Sequence, residues 1–420
     1  MYRVRELRLG SYSRRAWQNI DHILPRLTQP APLLETFSVV SSASHQRSQL
    51  PGNLFTGHAP RLRTLELIGC IVPQTFPLLT GITSLKIRDT NQVPHGLSLD
   101  ELIIILKSFP NIQALELHKA HRSESVGPTG SVPPGRTVHL PYLRRLDISY
   151  DPLTCAALLS CLKYPITTTQ NIKTMYKGRL EGFRRLDAIF AARACPIAYV
   201  QVCKVPTAGF AFRGWGGAGA RLQLPADAPH INIQLSCHGP SSLAPLRAVW
   251  QALPMAGLES LFLSGNFSGD ACLGDFGNLS SLKTVRVEGA LFKILRVLKQ
   301  GLPECGLENN NAFPFSQELA EPGRLSFKAL RTLVLGGQYL DLSGRIREAT
   351  ELTRCFRERR KRGVPLRKLY ISKSLLRKGI DGEITRIFHT AVKEVHWGLH
   401  DRGISFDTED YSSGESSDID

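Results

Sequence analysis

The residues of this sequence that could do chemistry are charged side chains that stand between leucines. In the stretch PRLRTLELIGC at 60–70, Glu66 lies between the last two leucines of an L-x-x-L-x-L pattern. Lys86, Glu116 and Asp147 occupy the same position in later copies of the pattern. Carboxylate and ammonium groups repeated in this way are suited to charge-assisted hydrogen bonds with a ligand. The pattern therefore predicts a surface for recognition.

The sequence gives no support for catalysis, metal binding or nucleotide binding. None of the nine cysteines forms a C-x-x-C pair, no serine lies in G-x-S-x-G, and no H-E-x-x-H occurs. The glycine-rich stretch GWGGAGA at 214–220 lacks the spacing of a phosphate-binding loop and is predicted to be a turn. We therefore expect a non-enzymatic protein that has no cofactor and no metal.

The elements that must position these residues follow from the repetition of the pattern. Eleven copies align along the chain, and in the first half successive copies start 20 to 31 residues apart. Amphipathic helical segments lie between copies, and one of them begins with Asp151 as N-cap before Pro152. Short strands alternating with helices indicate an α/β leucine-rich-repeat solenoid, a horseshoe with parallel strands on its concave face and helices on its convex face.

Periodicity and composition divide the chain into four segments. Leucine-rich repeats are predicted at 1–165 and 257–400, separated by an irregular, hairpin-rich insertion at 166–256. The tail at 401–420 holds seven acidic residues and one arginine, and it is predicted to be disordered.

Charge and cysteine usage bear on the compartment and on the class of partner. The net charge is +16, so the chain without its acidic tail carries +22. A basic body is compatible with nucleic acid or an anionic surface as a partner. The run RERRKRG at 357–363 resembles a nuclear-localisation or nucleic-acid patch, but we favour the solvated face of a helix. Scattered cysteines and the absence of an apolar leader or membrane span favour the cytoplasm or the nucleus.

Strand alternation predicts which residues would meet a partner. It sends the leucines into the core and the residues between them to the concave face. The mixed charges of that face suit a protein ligand and lack the uniformly basic lining expected for nucleic acid. Phe262 and Tyr370 are expected to face solvent and to anchor the interface. The predicted partner-binding residues are Glu66, Ile68, Lys86, Arg88, Glu116, His118, Arg145, Asp147, Phe262, Arg286, Lys368 and Tyr370.

Three longer stretches carry a resemblance to a known family. They are LPGNLFTGHAPRLRTLELIGC at 50–70, TFPLLTGITSLKIRDT at 75–90 and LTRCFRERRKRGVPLRKLYISKS at 352–374. In their order along the chain they resemble the repeat region of fungal, mushroom-type F-box proteins with C-terminal leucine-rich repeats. The resemblance implies a role in recognising substrates for a cullin-type ubiquitin ligase. We expect the chain to be a monomer.

The family places an F-box before its repeats, and the F-box docks on the adaptor of the ligase. Here Met1 stands three residues before the first copy of the pattern. We therefore expect the F-box to be missing and the adaptor not to bind, so that what the resemblance still implies is a surface for a protein partner.

Overall fold

The fold is described from a computed structural model, in which the chain forms two compact units. Described residues before Glu259 belong to the first unit, and those from Glu259 onward belong to the second. The structure describes residues 3–10, 20–41, 48–71, 81–88, 99–118, 137–176, 182, 185–186, 197–205, 209–216, 229–237, 243–253, 255–265, 276–288, 297–299, 325–336, 346–372 and 381–399.

The first unit is built around a mostly parallel sheet. Among the residues that the structure describes, its ten strands lie in the order β1-β2-β4-β6-β7-β9-β11-β14-β13-β12. Neighbours pair in parallel except where β13 meets β12 and β14, which are antiparallel to it. Two further parallel ladders join β3 to β5 and β8 to β10. The strands are β1 Glu6–Leu9, β2 Thr36–Val40, β3 Ser48–Gln49, β4 Thr64–Ile68, β5 Cys70–Ile71, β6 Ser84–Arg88, β7 Ala114–His118, β8 Val138–His139, β9 Arg145–Tyr150, β10 Leu162–Lys163, β11 Thr169–Tyr176, β12 Ile197–Val205, β13 Gly209–Gly216 and β14 Ile231–Cys237.

Helices connect some of these strands. The α-helices of the first unit are α1 Ile20–Ile23, α2 Leu99–Lys107, α3 Pro152–Cys161 and α4 Leu243–Ala252, with 3-10 turns at Leu24–Arg26 and Leu54–Gly57. Helix α3 begins as the sequence predicts, because the Asp151 carboxylate accepts hydrogen bonds from the backbone N–H groups of Leu153 and Thr154, both at 3.1 Å.

In the described part of the second unit, five strands repeat the parallel arrangement. They are β15 Ser260–Ser264, β16 Thr284–Glu288, β17 Thr332–Gly336, β18 Lys368–Ser372 and β19 Glu394–Leu399, each parallel to the next. Helix α5 spans Ile346–Lys361 and helix α6 spans Asp381–His389. None of the helices in the described ranges is long and apolar enough to cross a membrane.

The core lies where the leucine pattern predicts it. Leu62, Leu65 and Leu67 are fully buried, and their counterparts in the neighbouring strands are buried with them. Helix α2 buries four apolar side chains and exposes Ile104, so one side of it packs on the unit. Burying each large apolar side chain contributes about 1.5–3 kcal/mol, which makes the repeated leucines the main source of stability.

The predicted α/β class with mostly parallel strands is confirmed, and the open sheets are compatible with a solenoid. The middle of the chain differs from the prediction in two respects. It contains the expected hairpin β12–β13, but β11 pairs in parallel with both β9 and β14 and so extends the parallel ladder. The predicted turn GWGGAGA is wrong at Gly214–Gly216, which complete strand β13. Its remaining residues and the acidic tail lie outside the described residues.

Candidate functional site

One row of side chains crosses the whole sheet of the first unit. Each of its members is the register partner of the next, so the row contains one residue from every strand of the sheet. We call it the polar row, because ten polar or charged residues form it without interruption. In strand order the polar row is Arg8, Ser38, Glu66, Lys86, Glu116, Asp147, Asn171, Asn232, Arg213 and Gln201.

The local sequence explains why these side chains share one face. In β4, β6 and β7 a buried leucine or isoleucine alternates with a half-buried residue. Successive side chains of a strand point to opposite faces, so burial of the leucines leaves the residues between them on the other face. Parallel pairing in register then aligns those residues from strand to strand.

The first part of the polar row is a ladder of hydrogen bonds and ion pairs. Ser38 Oγ donates to a Glu66 carboxylate oxygen at 3.0 Å. Lys86 Nζ lies 2.8 Å from Glu66 Oε1 and 3.8 Å from Glu116 Oε1, so it bridges two carboxylates. Arg88 Nε donates to the same Glu116 oxygen at 2.9 Å. The alternating charges hold long side chains in one arrangement across four strands.

Beside the centre of the row, a histidine lies between two carboxylates. His118 Nε2 lies 3.3 Å from Glu116 Oε1 and 3.3 Å from Asp147 Oδ1. Arg145 approaches Asp147 at 3.6 Å. Asn171 Nδ2 donates to the second oxygen of Asp147 at 2.9 Å. Asp147 is therefore contacted on three sides and is only 5% exposed.

The row continues through amides that the repeat pattern did not include. Asn232 Nδ2 donates to Asn171 Oδ1 at 3.1 Å, and Arg213 Nη1 donates to Gln201 Oε1 at 3.4 Å. Asn232 Oδ1 and Gln201 Nε2 are buried and have no hydrogen-bond partner among the described residues. The alternation of polar and apolar residues in INIQL at 231–235 was a signal that could have found Asn232, whereas TQNIKT contains a single apolar residue and no such signal marks Asn171.

The carboxylates of Asp147 and Glu66 are both stabilised in their charged form. Burial raises the pKa of Asp147, but the close approach of His118, the hydrogen bond from Asn171 and the charge of Lys173 outweigh it, so the net pKa is lowered. Burial likewise raises the pKa of Glu66, and the hydrogen bond and charge of Lys86, with the hydroxyl of Ser38, bring it below its ordinary value. The row therefore presents fixed negative charge at neutral pH.

The second unit has its own aligned positions, and one prediction there is wrong. Phe262 was expected to face solvent, but its side chain is fully buried. The Arg286 guanidinium lies 4.8 Å from the centre of the ring and covers it, while Glu288 holds that guanidinium at 2.7 Å. A cation over an aromatic face is an attractive contact that excludes water. Phe262 is therefore part of the core.

Tyr370 lies three strands away from Phe262 in the same register row, and it remains accessible. Its ring is half-buried and stacks on His396, with the ring centres 4.7 Å apart and the planes 15° apart. Lys368 Nζ lies 3.1 Å from a Glu394 carboxylate oxygen. That hydrogen bond and the charge of Glu394 raise the pKa of Lys368. These two residue pairs form a mixed polar and aromatic patch on β18 and β19.

The structure brings together eight of the predicted partner-binding residues in the first unit. Seven of them are polar and lie in the polar row or directly beside it, and Ile68 is half-buried at the end of β4. The other four, Phe262, Arg286, Lys368 and Tyr370, lie in the second unit. Of those four, Phe262 is excluded from any surface by its burial.

The chemistry available to the polar row is ion pairing and hydrogen bonding. Within the described ranges no group of three histidine, cysteine or acidic side chains is arranged to hold a metal ion.

No protein-family model matches this chain, and no curated protein is significantly similar to it.

Proposed function

We propose that this chain is a non-catalytic protein-binding module with the architecture of a leucine-rich-repeat solenoid. In this proposal it resembles the substrate-recognition region of an F-box protein, and its partner is a protein that lies on the polar row. The regular spacing of the parallel strands and the burial of the leucine pattern support the architecture.

One observation carries the proposal, which is the mixed charge of the polar row. On four neighbouring strands the row offers the carboxylates of Glu66, Glu116 and Asp147 and the cation of Lys86, and the cation of Arg88 lies directly beside it. A uniform polyanion would meet repulsion from the carboxylates, whereas a folded protein can present both charges in a matching pattern. The arrangement therefore favours a protein over nucleic acid.

The row is also held in place before any partner arrives. Side chains such as Lys86 and Glu116 are part-buried and are joined to neighbours on both sides. Long charged side chains lose about 0.5–1.5 kcal/mol each when an interface immobilises them. The folded protein already restricts these side chains, so they lose less conformational freedom on binding. Specific binding therefore needs fewer new contacts.

A photo-crosslinking experiment tests whether a protein lies on this face. A photoreactive phenylalanine replaces Ile68, which is half-buried on the side of the polar row, in the full chain expressed in a fungal cell. We expect a crosslinked protein partner. Glu116→Lys reverses a central charge of the row, and we expect it to lower the crosslink yield by about tenfold, since charged hydrogen bonds contribute about 1.5–3 kcal/mol each.

The matched control places the same photoreactive residue at Ile104. This isoleucine is 44% exposed on helix α2, away from the strands, and has the same native side chain as the test position. Equal crosslinking from Ile68 and Ile104, or a yield that Glu116→Lys leaves unchanged, contradicts the proposal.

The net charge of +16 supports a second candidate function, binding of nucleic acid or an anionic surface. The dependence of binding affinity on salt concentration distinguishes the two candidate functions. Binding that neutralises many phosphates weakens steeply as salt rises, whereas a protein interface with internal ion pairs weakens mildly. A loss of several hundredfold between about 50 and 200 mM salt would favour the second candidate.

The link to a ubiquitin ligase is a separate part of the proposal. In the resembling family an F-box that precedes the repeats binds the ligase adaptor. An in-frame F-box in the gene upstream of Met1, together with retention of the purified adaptor by the full gene product, would support it. Failure of that product to retain the adaptor removes the ligase role and leaves the protein-binding role standing.

A further inference from the structure

A cleft of about 640 Å³ lies between helices α5 and α6 of the second unit. Its walls include Arg354, Arg357 and Lys361 from α5 and Arg386 from α6, with Glu358 as the one carboxylate among its lining residues. Pockets that hold small ligands usually have volumes of about 300–1,000 Å³. The cleft is therefore large enough for a small molecule and is strongly basic.

The helical period places three of these cations on one side of α5. Arg354, Arg357 and Lys361 are separated by three and four residues, and positions with that spacing lie above one another on a helix. The side chains of Arg357, Lys361 and Arg386 are exposed to solvent. A ligand that enters the cleft can therefore reach these side chains.

A buried arginine fixes the rotation of the helix that carries them. Arg359 is 1% exposed, and its guanidinium donates to the carbonyl oxygens of Ser326 and Phe327 at 2.7 and 2.6 Å. Because Arg359 points into the unit, Arg357 and Lys361 are turned toward the cleft. The run RERRKRG is thus divided between a structural arginine and residues that line a cavity.

Cations outnumber carboxylates four to one among the residues that line the cleft. Lys361 pairs with Glu358 at 2.5 Å. The nearby carboxylate of Glu351 pairs with Lys299 at 2.6 Å, outside the residues that line the cleft. Arg357 Nη2 donates to the hydroxyl of Thr390 at 2.7 Å, which is a neutral partner that orients the guanidinium without neutralising it.

We propose that this cleft binds a small soluble molecule that carries phosphate groups. Arginine offers paired N–H donors that match the oxygens of a phosphate, and four cations against one carboxylate favour a ligand with two or more negative charges. The cleft lies on helices and not on the strands of the polar row, so this function is additional to protein binding and independent of it.

Isothermal titration of the full chain with inorganic pyrophosphate tests the proposal. We expect saturable binding at one site. Arg357→Gln and Arg386→Gln each remove one cation from the cleft, and each is expected to weaken binding by at least about tenfold, because a charged hydrogen bond to phosphate is lost. Both side chains are exposed, so the variants are expected to keep the unfolding temperature of the natural chain.

Arg360→Gln is the matched control, since it removes the same charge from the same helix. Arg360 is exposed and is not among the residues that line the cleft. We expect it to change the affinity by less than twofold. Absence of saturable binding overturns the proposal. So does an equal loss in Arg357→Gln and Arg360→Gln, which would mean that the general charge of the chain attracts the anion.

A labelled single-stranded oligonucleotide separates the small-molecule site from a nucleic-acid site. We expect pyrophosphate to bind without being displaced by the oligonucleotide at equal phosphate concentration. An oligonucleotide that competes strongly, and loses affinity in Arg357→Gln and Arg386→Gln but not in Arg360→Gln, would assign the cleft to nucleic acid and overturn the small-molecule proposal.

Discussion

Asp147 is the residue at which burial and charge oppose each other most strongly in the polar row. Its side chain is buried, yet the contacts of His118, Arg145 and Asn171 surround it with donors. A buried carboxylate is tolerated when it is paired and hydrogen-bonded, and removing its charge leaves those partners unsatisfied. The residue therefore contributes to stability as well as to the candidate surface.

We expect Asp147→Asn to lower the free energy of unfolding at pH 7 by about 1–3 kcal/mol. The folded-state pKa of Asp147 is lowered, so its contribution is complete above the ordinary pKa of 3.8 and is lost as the pH falls through the folded value. The difference between the natural chain and the variant should shrink in that acid range. Urea denaturation at pH 7 and near pH 3 measures it.

Glu35→Gln is the control for this measurement, because Glu35 is an exposed carboxylate just before β2. We expect a change within about 0.5 kcal/mol at both pH values. An Asp147→Asn effect that stays constant from neutral to acid pH would show that packing, and not charge, accounts for it.

The burial of Phe262 predicts a large contribution of its side chain to stability. It is buried beneath Arg286, so we expect Phe262→Ala to lower the free energy of unfolding by about 3–5 kcal/mol, from lost burial and a cavity. Tyr370→Ala, at a half-buried position, should cost clearly less. Urea denaturation of both variants checks this, and a small loss for Phe262→Ala would indicate a surface side chain after all.

At the scale of elements, a glycine just after helix α5 determines where the helix ends. Gly363 has a φ of +77°, its N–H bonds to the Arg360 carbonyl at 3.1 Å, and the N–H of Val364 bonds to the Arg359 carbonyl at 3.0 Å. This pair of bonds is the Schellman motif, in which glycine adopts the left-handed conformation at low cost. The chain then turns directly toward strand β18.

We expect Gly363→Ala to destabilise the protein by about 1 kcal/mol, since an alanine has to adopt the left-handed conformation there. A Cβ at this position has open space around it, so the cost is conformational and not steric. Gly52→Ala, also in open space but without a positive φ, should change stability by less than about 0.5 kcal/mol. Thermal unfolding compares them, and equal effects would contradict the conformational explanation.

The elements themselves were largely predictable, and the exceptions have a physical cause. The strands of the leucine pattern and the start of α3 follow from local alternation and from one capping side chain. Strand β11 was not predicted, because TQNIKTMY lacks the leucine spacing and its place depends on pairing with β9 and β14. Pairing with distant strands cannot be read from local periodicity.

At the scale of the whole molecule, net charge and local charge pattern point to different partners. The chain carries +16, yet the polar row interleaves carboxylates with cations. Long-range attraction follows the net charge, whereas specific recognition follows the local pattern.

We therefore expect any binding of an oligonucleotide to be non-specific. It should fall steeply between about 50 and 200 mM salt, and Lys86→Gln should alter it by less than about twofold. Fluorescence anisotropy over a salt series measures both effects. A Lys86→Gln variant that loses affinity for nucleic acid selectively would place nucleic acid on the polar row.

The sequence by itself determined where the leucines go and which positions lie between them. Burial of Leu62, Leu65 and Leu67 follows from a period of two along a strand and from the cost of exposing apolar surface to water. These are local properties, so a single stretch such as PRLRTLELIGC contains enough information to establish them. The positions of the polar row from Arg8 to Asp147 follow in the same way.

Only the tertiary structure decided what those positions contact. Asn171 meets Asp147 across 24 residues of sequence and Asn232 across 61, and Arg286 covers Phe262 from the neighbouring strand. Arg359 turns inward while Arg357 lines a cleft, although both belong to one basic run. Ion pairing, desolvation and cavities depend on distances between strands and helices far apart in the chain, and those distances are set by the packing of the whole unit.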